Sequence, residues 1–137
     1  VPADASQVPP GSDPNESVIH DYDVAAVTNA IMNAGAVAVS INGERVVATT
    51  AIRCAGNTIL VNSTRLGNPY TIRAIGDPAA LSEGVYANSD AGPIFKTYRT
   101  RYGLSATLTE VRSLTVVPYR GTLRPEFARS VREGSAQ

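Results

Sequence analysis

One cysteine, one histidine and no excess charge of either sign in 137 residues remove several functional classes at once. A single thiol cannot close an internal disulfide, nor can it supply a multi-cysteine zinc or iron–sulfur site. Twelve basic residues balance twelve acidic ones, so no net field draws in a nucleic acid or an acidic membrane surface. No apolar run approaches the roughly 20 residues that cross a bilayer. The chain opens on "VPADASQVPP", without an initiator methionine or the pattern of a signal peptide, and reads as a piece of something longer. What is present is one ordinary domain's worth of sequence. Nine prolines, eleven glycines and 18% charged residues suit a globular protein with many turns, long enough to bury most of its apolar surface.

Three stretches divide the chain. Residues 1–17 carry prolines, acids and only two valines as larger apolar residues, the composition of a flexible tether or loop. Residues 18–119 hold all the periodic sequence and form the domain. Residues 120–137 lose periodicity and read as a C-terminal tail. Within the domain, "HDYDVAAVTNAIMNAG" places Val24, Val27, Ile31 and Ala34 at helical spacing, with Asp21 or Asp23 to cap the helix and Gly35 to stop it.

The period then becomes two. Val37, Val39 and Ile41 alternate with polar or small residues up to Asn42–Gly43, the strongest short hairpin signal. Folding there pairs Ile41 with Glu44, Val39 with Val46 and Val37 with Ala48. It also puts Ile52 and Cys54 in phase with the apolar side, and Arg45, Thr49 and Arg53 on the other. "AGNT" predicts a turn into a third strand, "TILVN". The polar "STRLGNP" predicts a loop, and "YTIRAIG" a fourth strand. Asp77 and Pro78 begin a second helix, interrupted at "NSDAGP" and resuming with Ile94, Tyr98 and Tyr102. "LSATLTEVRSLTVVPY", rich in threonine and valine, predicts a long fifth strand bent near Glu110–Arg112. The expected architecture is α+β: a mainly antiparallel sheet of about five strands with two helices packed on one face.

The passages "HDYD", "NAGAVAVSINGERV", "TAIRCAGNTILVN" and "PYTIRAIGDP", in that order, resemble the YlxW-type family of bacterial envelope proteins, domain of unknown function 881. The resemblance runs from Val18 to Leu81, with a weaker echo at "VVPY". It implies a single-pass membrane protein in which a short anchor, absent from this chain, and a coiled-coil stalk precede a domain outside the cytoplasmic membrane. It also implies a link to cell-wall or cell-division proteins, with no established activity. Members of that type carry a glycine-rich strand before the "HDYD" helix. Residues 1–17 offer none, which would leave one sheet edge open to another chain and permits a homo-oligomer.

Each chemical candidate has a plain structural reading beside it. Cys54 and His20 could form a nucleophile–base pair oriented by Asp21 or Asp23, yet no hydrolase signature surrounds them, and a thiol on the core face behaves as a small hydrophobe. "HDYD" could suggest a metal, but acids at a helix start are already explained by capping and the macrodipole. "AIGDPAAL" has the outline of a phosphate turn, but Asp77 brings its own negative charge and Pro78 removes a donor. No catalytic residue, cofactor or metal is therefore expected.

The arginines stand apart. Eleven of the twelve basic residues are arginine, and Arg45, Arg53, Arg65 and Arg73 fall on or beside strands, where planar guanidinium forks could bind carboxylates or phosphates. The expectation is a non-catalytic, extracytoplasmic envelope domain that binds proteins of the envelope or division machinery, or a cell-wall polymer, through this face. The alternative from another class is a small-ligand binder or hydrolase with a cleft near Cys54 and the Asp77 helix start.

Overall fold

A computed structural model of the chain describes residues 18–98 and 103–122. The tether at 1–17 and the tail beyond 122 lie outside the described residues, as does the expected helical position Tyr102.

Helix α1 (Asp21–Asn33) has His20 as its N-cap in place of the expected Asp21 or Asp23. The carboxylate of Asp23 reaches back to accept the His20 backbone N–H at 2.9 Å, filling one of the groups that a helix start leaves unpaired. At the other end Gly35 takes φ +95°. The N–H groups of Gly35 and Ala36 return to the carbonyls of Met32 and Ile31, the double bond of a Schellman stop. Val24, Val27 and Ile31 are buried, each stabilising the helix by roughly 1.5–3 kcal/mol when fully removed from water.

Strands β1 (Ala38–Ile41) and β2 (Glu44–Arg45) form the expected hairpin. Asn42 and Gly43 have φ of 46° and 86°, the two positive values a type I′ turn demands. Ile41 faces Glu44 and Ser40 faces Arg45, in the predicted register. The hairpin then breaks sooner than its alternation suggests. The Thr50 hydroxyl accepts the Val47 N–H at 2.8 Å, and the Thr50 N–H bonds the Val47 carbonyl. This turn releases the chain from β2, so Val37 does not pair with Ala48; its N–H donates to the Ile75 carbonyl instead.

The single five-stranded sheet is thus replaced by two antiparallel sheets of three strands each. Sheet A has the order β2-β1-β6, with β6 at Ile72–Ile75; sheet B has the order β3-β4-β5, built from Ile52–Ala55, Thr58–Val61 and Thr64–Leu66. β5 lies in the stretch expected to be a polar loop. Asn62 and Ser63 both take positive φ, 51° and 70°, and turn the chain straight back. The second helical stretch is two helices, α2 (Pro78–Ala87) and α3 (Gly92–Lys96), because Asn88 turns the chain by accepting the Asp90 and Ala91 N–H groups on its side-chain oxygen. The expected fifth strand at 104–119 does not form: the stretch has no regular secondary structure, bends at Arg112 and joins neither sheet.

Two apolar clusters hold the layers together. Val27, Ile31, Val39, Val85 and Ile94 join α1, sheet A and α2–α3. Val24, Ile41, Ile59, Val61 and Leu66 join the start of α1 to both sheets. Val46 and Ile72 touch both clusters. At Gly84 an added Cβ would lie 2.5 Å from the Ala34 Cβ, so glycine is what lets α1 and α2 approach so closely.

Candidate functional site

The four arginines chosen from sequence sort into two rows. In sheet A, Ser40 faces Arg45 on one side and Arg73 on the other, so the three share the side of the sheet opposite Val39 and Ile41. In sheet B, Leu60 faces both Arg53 and Arg65, giving a second row opposite Ile59 and Val61. Arg45 and Arg53 therefore do not share one face of one sheet, as a continuous strand would have required; the turn at Val47–Thr50 separates them.

The rows differ in what surrounds them. Arg45 is half-buried. Its Nη1 donates to the Val117 carbonyl at 3.2 Å, and its Nε is buried without a hydrogen-bond partner. Its own carbonyl accepts from Asn62 Nδ2 at 2.7 Å. This arginine ties β2 to the 103–122 segment and to the β4–β5 turn. Arg73 is exposed. In sheet B, Arg53 and Arg65 are both exposed; Arg65 Nη1 reaches Thr58 Oγ1 at 3.4 Å. Among the described residues no carboxylate pairs with any of the four guanidinium groups.

Cys54 is not the buried residue its phase suggests. It does share a side with Ile59, the residue it faces on β4, and Ile59 is only 2% exposed. But β3 is an edge strand, and Cys54 is exposed there. What meets it is the first turn of α1. The Cys54 N–H donates to Asp21 Oδ2 at 2.8 Å, and the Asp21 N–H donates to Cys54 Sγ at 3.4 Å. The hydrogen bond from the Cys54 backbone holds the Asp21 carboxyl below its usual range. The Asp21 N–H pulls the thiol down, but partial desolvation and the Asp21 and Asp23 carboxylates outweigh it and leave the thiol raised. A raised thiol is the reverse of an activated nucleophile.

His20 is engaged elsewhere. Its ring stacks on Tyr22 with centroids 4.9 Å apart, and Nδ1 lies 3.1 Å from the Tyr22 hydroxyl and 3.8 Å from Asp23 Oδ2. No hydrogen bond joins it to Cys54 among the described residues. Burial pushes Asp23 up, against the pull of the His20 backbone N–H and ring. Among the described residues no three of His, Cys, Asp and Glu converge as metal ligands would. Asp77 accepts the Ala80 N–H at 3.3 Å and is spent on capping α2. Two clefts lie among the described residues away from Cys54 and Asp77. One, of about 400 Å³, is lined by Tyr22, Asp23, Asn29, Asp90 and Tyr98 among others. The other, of about 290 Å³, lies between Glu44, Asn62, Thr64 and Tyr119.

Sequence reasoning missed the Asp21–Cys54 exchange, which joins residues 33 apart, and the Arg45–Val117 tie. It also missed the second task of Asn42. Besides turning the hairpin, that side chain donates to the carbonyls of Gly67 and Pro69 and accepts the Thr71 N–H at 2.6 Å. An asparagine at a positive-φ position was the available signal; its distant partners had none.

Comparison with known proteins gives kinship without a reaction. The profile of a bacterial protein family of unknown function, DUF881, matches residues 3–129. The UPF0749 protein YlxW of Bacillus subtilis is 36% identical over 78 residues, covering 57% of this chain and 34% of that protein. The UPF0749 protein Rv1823 of Mycobacterium tuberculosis is 31% identical over 134 residues, covering 89% and 43%. The chain thus spans less than half the length of these curated relatives. A crystal structure of an uncharacterized conserved protein from Mycobacterium tuberculosis superposes with a TM-score of 0.54 at 22% identity, over 74% of this chain and 82% of that one, a likeness of fold alone.

Proposed function

The chain belongs to the DUF881 family of bacterial proteins of unknown function, and on that premise we propose that it is a non-catalytic interaction domain of a membrane-anchored envelope protein, working on the outer side of the cytoplasmic membrane. Its partner is an anionic surface, either an acidic region of an envelope or division protein or a cell-wall polymer. The observation that carries this reading is the Arg53–Leu60–Arg65 row: two exposed guanidinium groups flank a half-buried leucine with no described carboxylate beside them. The two strand spacings between them amount to about 10 Å, a separation that suits a repeating or extended anion better than one small ligand. Each fork can take a carboxylate or phosphate in two parallel bonds.

Support for the location is the kinship. The family resemblance implies an anchor and stalk before the domain, and the matched regions cover only 34% and 43% of the relatives. Among the described residues no helix is long and apolar enough to cross a membrane. The alternative of a hydrolase or ligand cleft at Cys54 has less behind it, because the thiol is raised and His20 is occupied. The test is crosslinking in living cells on the full-length protein, combined with fractionation and protease accessibility. Membrane association, exposure outside the membrane and an adduct through sheet B support the proposal. A protein found in the cytoplasm, or an adduct-free sheet B, overturns it.

A further inference from the structure

One long segment of the domain makes almost no hydrogen bonds. Residues 103–122 are twenty positions without helix or strand, bent at Arg112 and Gly121, and among the described residues the bond from Arg45 to the Val117 carbonyl is the single hydrogen bond that reaches them. Folded chains carry about one intramolecular hydrogen bond per residue, and structureless connections of this length are uncommon in compact domains. The segment is also not composed like a loop. Leu104 is buried and Ala106 packs on the core, so its root is docked. From Thr107 to Val116 five of ten residues are β-branched, without glycine or proline, the composition of a strand. Along this stretch Leu108 and Val111 are among the exposed large hydrophobic residues, Val111 at 52%.

Sheet A holds the complementary deficit. The Asn42 N–H donates to the Thr71 carbonyl, which marks that pair as hydrogen-bonded; by antiparallel alternation Arg73 bonds Ser40, and the backbone groups of Ile72 and Ala74 point away from β1. β6 ends the sheet, and no other described segment hydrogen-bonds its outer side. Exposed Ile75, Val37 and Arg73 lie beside this edge. The arm of the same chain is held at β2 by Arg45, at the opposite edge of the sheet. Other edges have company: the Cys54 N–H on β3 is taken by Asp21, and Thr64 on β5 shares a cleft with Tyr119 and Arg120.

We propose that Thr107–Val116 is a donated strand, which pairs with the β6 edge of a second copy of this chain in a reciprocal, two-fold exchange. The segment keeps its docked root and its Arg45 tie, and the ten residues between them, largely exposed, are more than the four residues of β6 need for a ladder at about 3.3 Å per residue. The exchange supplies each arm with a ladder and covers each β6 edge. It closes on two chains instead of running on as a filament.

The test uses the full 137-residue chain. Sedimentation over a dilution series should show a species of twice the 14.4 kDa chain mass that dissociates to one chain. T109P with T115P, which removes two arm donors outside every existing ladder, should abolish the larger species while the far-ultraviolet circular dichroism of the domain persists. Amide exchange on the unmodified chain gives a readout that no variant can confound. Protection of the 107–116 amides and of Ile72 and Ala74 should appear together, and be lost together on dilution. A chain that stays single at every concentration overturns the proposal, as does a dimer indifferent to the two prolines. Arm amides protected in the single chain would also overturn it, since they would show pairing within one molecule.

Discussion

The two arginine rows are built alike and end differently. In each, arginines on outer strands flank a residue of the central strand, on the side away from the core. In sheet A that central residue, Ser40, is 2% exposed and Arg45 is drawn into the structure by the Val117 carbonyl. In sheet B the central Leu60 is half-buried and both arginines remain open. Alternation along a strand decides which side a residue faces. It does not decide whether that side meets water, because a distant segment can be laid over it. The arginines expected on one surface are therefore divided: Arg45 is a structural tie in sheet A, where Arg73 stays exposed, and Arg53 and Arg65 are exposed together in sheet B.

The comparison can be broken from the sheet A side first. Gly43→Val should destabilise the fold by roughly 1–3 kcal/mol, because its φ of +86° is one that a β-branched residue adopts only under strain. It unseats the hairpin that sets Ser40 against Arg45, and a thermal melt checks it. A neutral melt would mean the turn has another form.

Arg45→Glu is expected to cost about 1–3 kcal/mol, since it removes the donor to Val117 and sets a carboxylate against a carbonyl in a half-buried site. The same change at Arg53 or Arg65 should stay within about 0.5 kcal/mol, as exposed substitutions usually do. Urea midpoints for the three single variants separate the rows; equal costs would erase the distinction.

A smaller contrast lies between two acids of one helical turn. Asp21 is held low by the Cys54 N–H, whereas burial pushes Asp23 up. A depressed folded pKa gives stability that is present above the usual carboxylate value and lost as pH falls through the folded one. A raised folded pKa does the reverse: its penalty grows as pH rises from the unfolded toward the folded value. Asp21→Asn should therefore lose most against the parent at neutral pH and converge with it in acid. Asp23→Asn should compare best at neutral pH and worst in acid. Urea midpoints across that range check both signs.

Cys54→Ser should have the least effect on stability, within about 0.5 kcal/mol, because the thiol is exposed on an edge strand. The thiol should label without denaturant, faster as pH rises, since only the thiolate reacts. Resistance to labelling until unfolding would show that the helix start seals it.

Much of the fold was legible because short-range chemistry specified it. The α1 boundaries follow from capping and Gly35, the β1–β2 register from Asn42–Gly43, and the start of α2 from Asp77–Pro78. What was not legible depended on competition between distant segments. The Val47–Thr50 turn had no glycine or proline to announce it, so one strand was expected to run from Glu44 to Cys54. Ser63 at positive φ hid the β4–β5 hairpin inside a polar run. Cys54 was assigned the right side of its strand, but its edge position follows from sheet order, which periodicity does not contain. The strand expected at 104–119 has the right composition and no described ladder. At the candidate site, residue type and phase grouped Arg45, Arg53, Arg65 and Arg73 together, without the division into two sheets. The Val47–Thr50 turn and the tertiary tie to Val117 set Arg45 apart from Arg53 and Arg65.

The central claim, that the sheet B row is the contact surface, is tested most directly by a photo-crosslinking residue at Leu60 in the full-length protein in its native cells, with a second probe at Ile75 beside the sheet A row. The account predicts a discrete adduct from position 60 that is lost when Arg53 and Arg65 are both changed to glutamate, with the melting temperature of the domain nearly unchanged. An adduct from position 60 that survives this charge reversal in a folded protein would contradict it, and so would capture from position 75 alone.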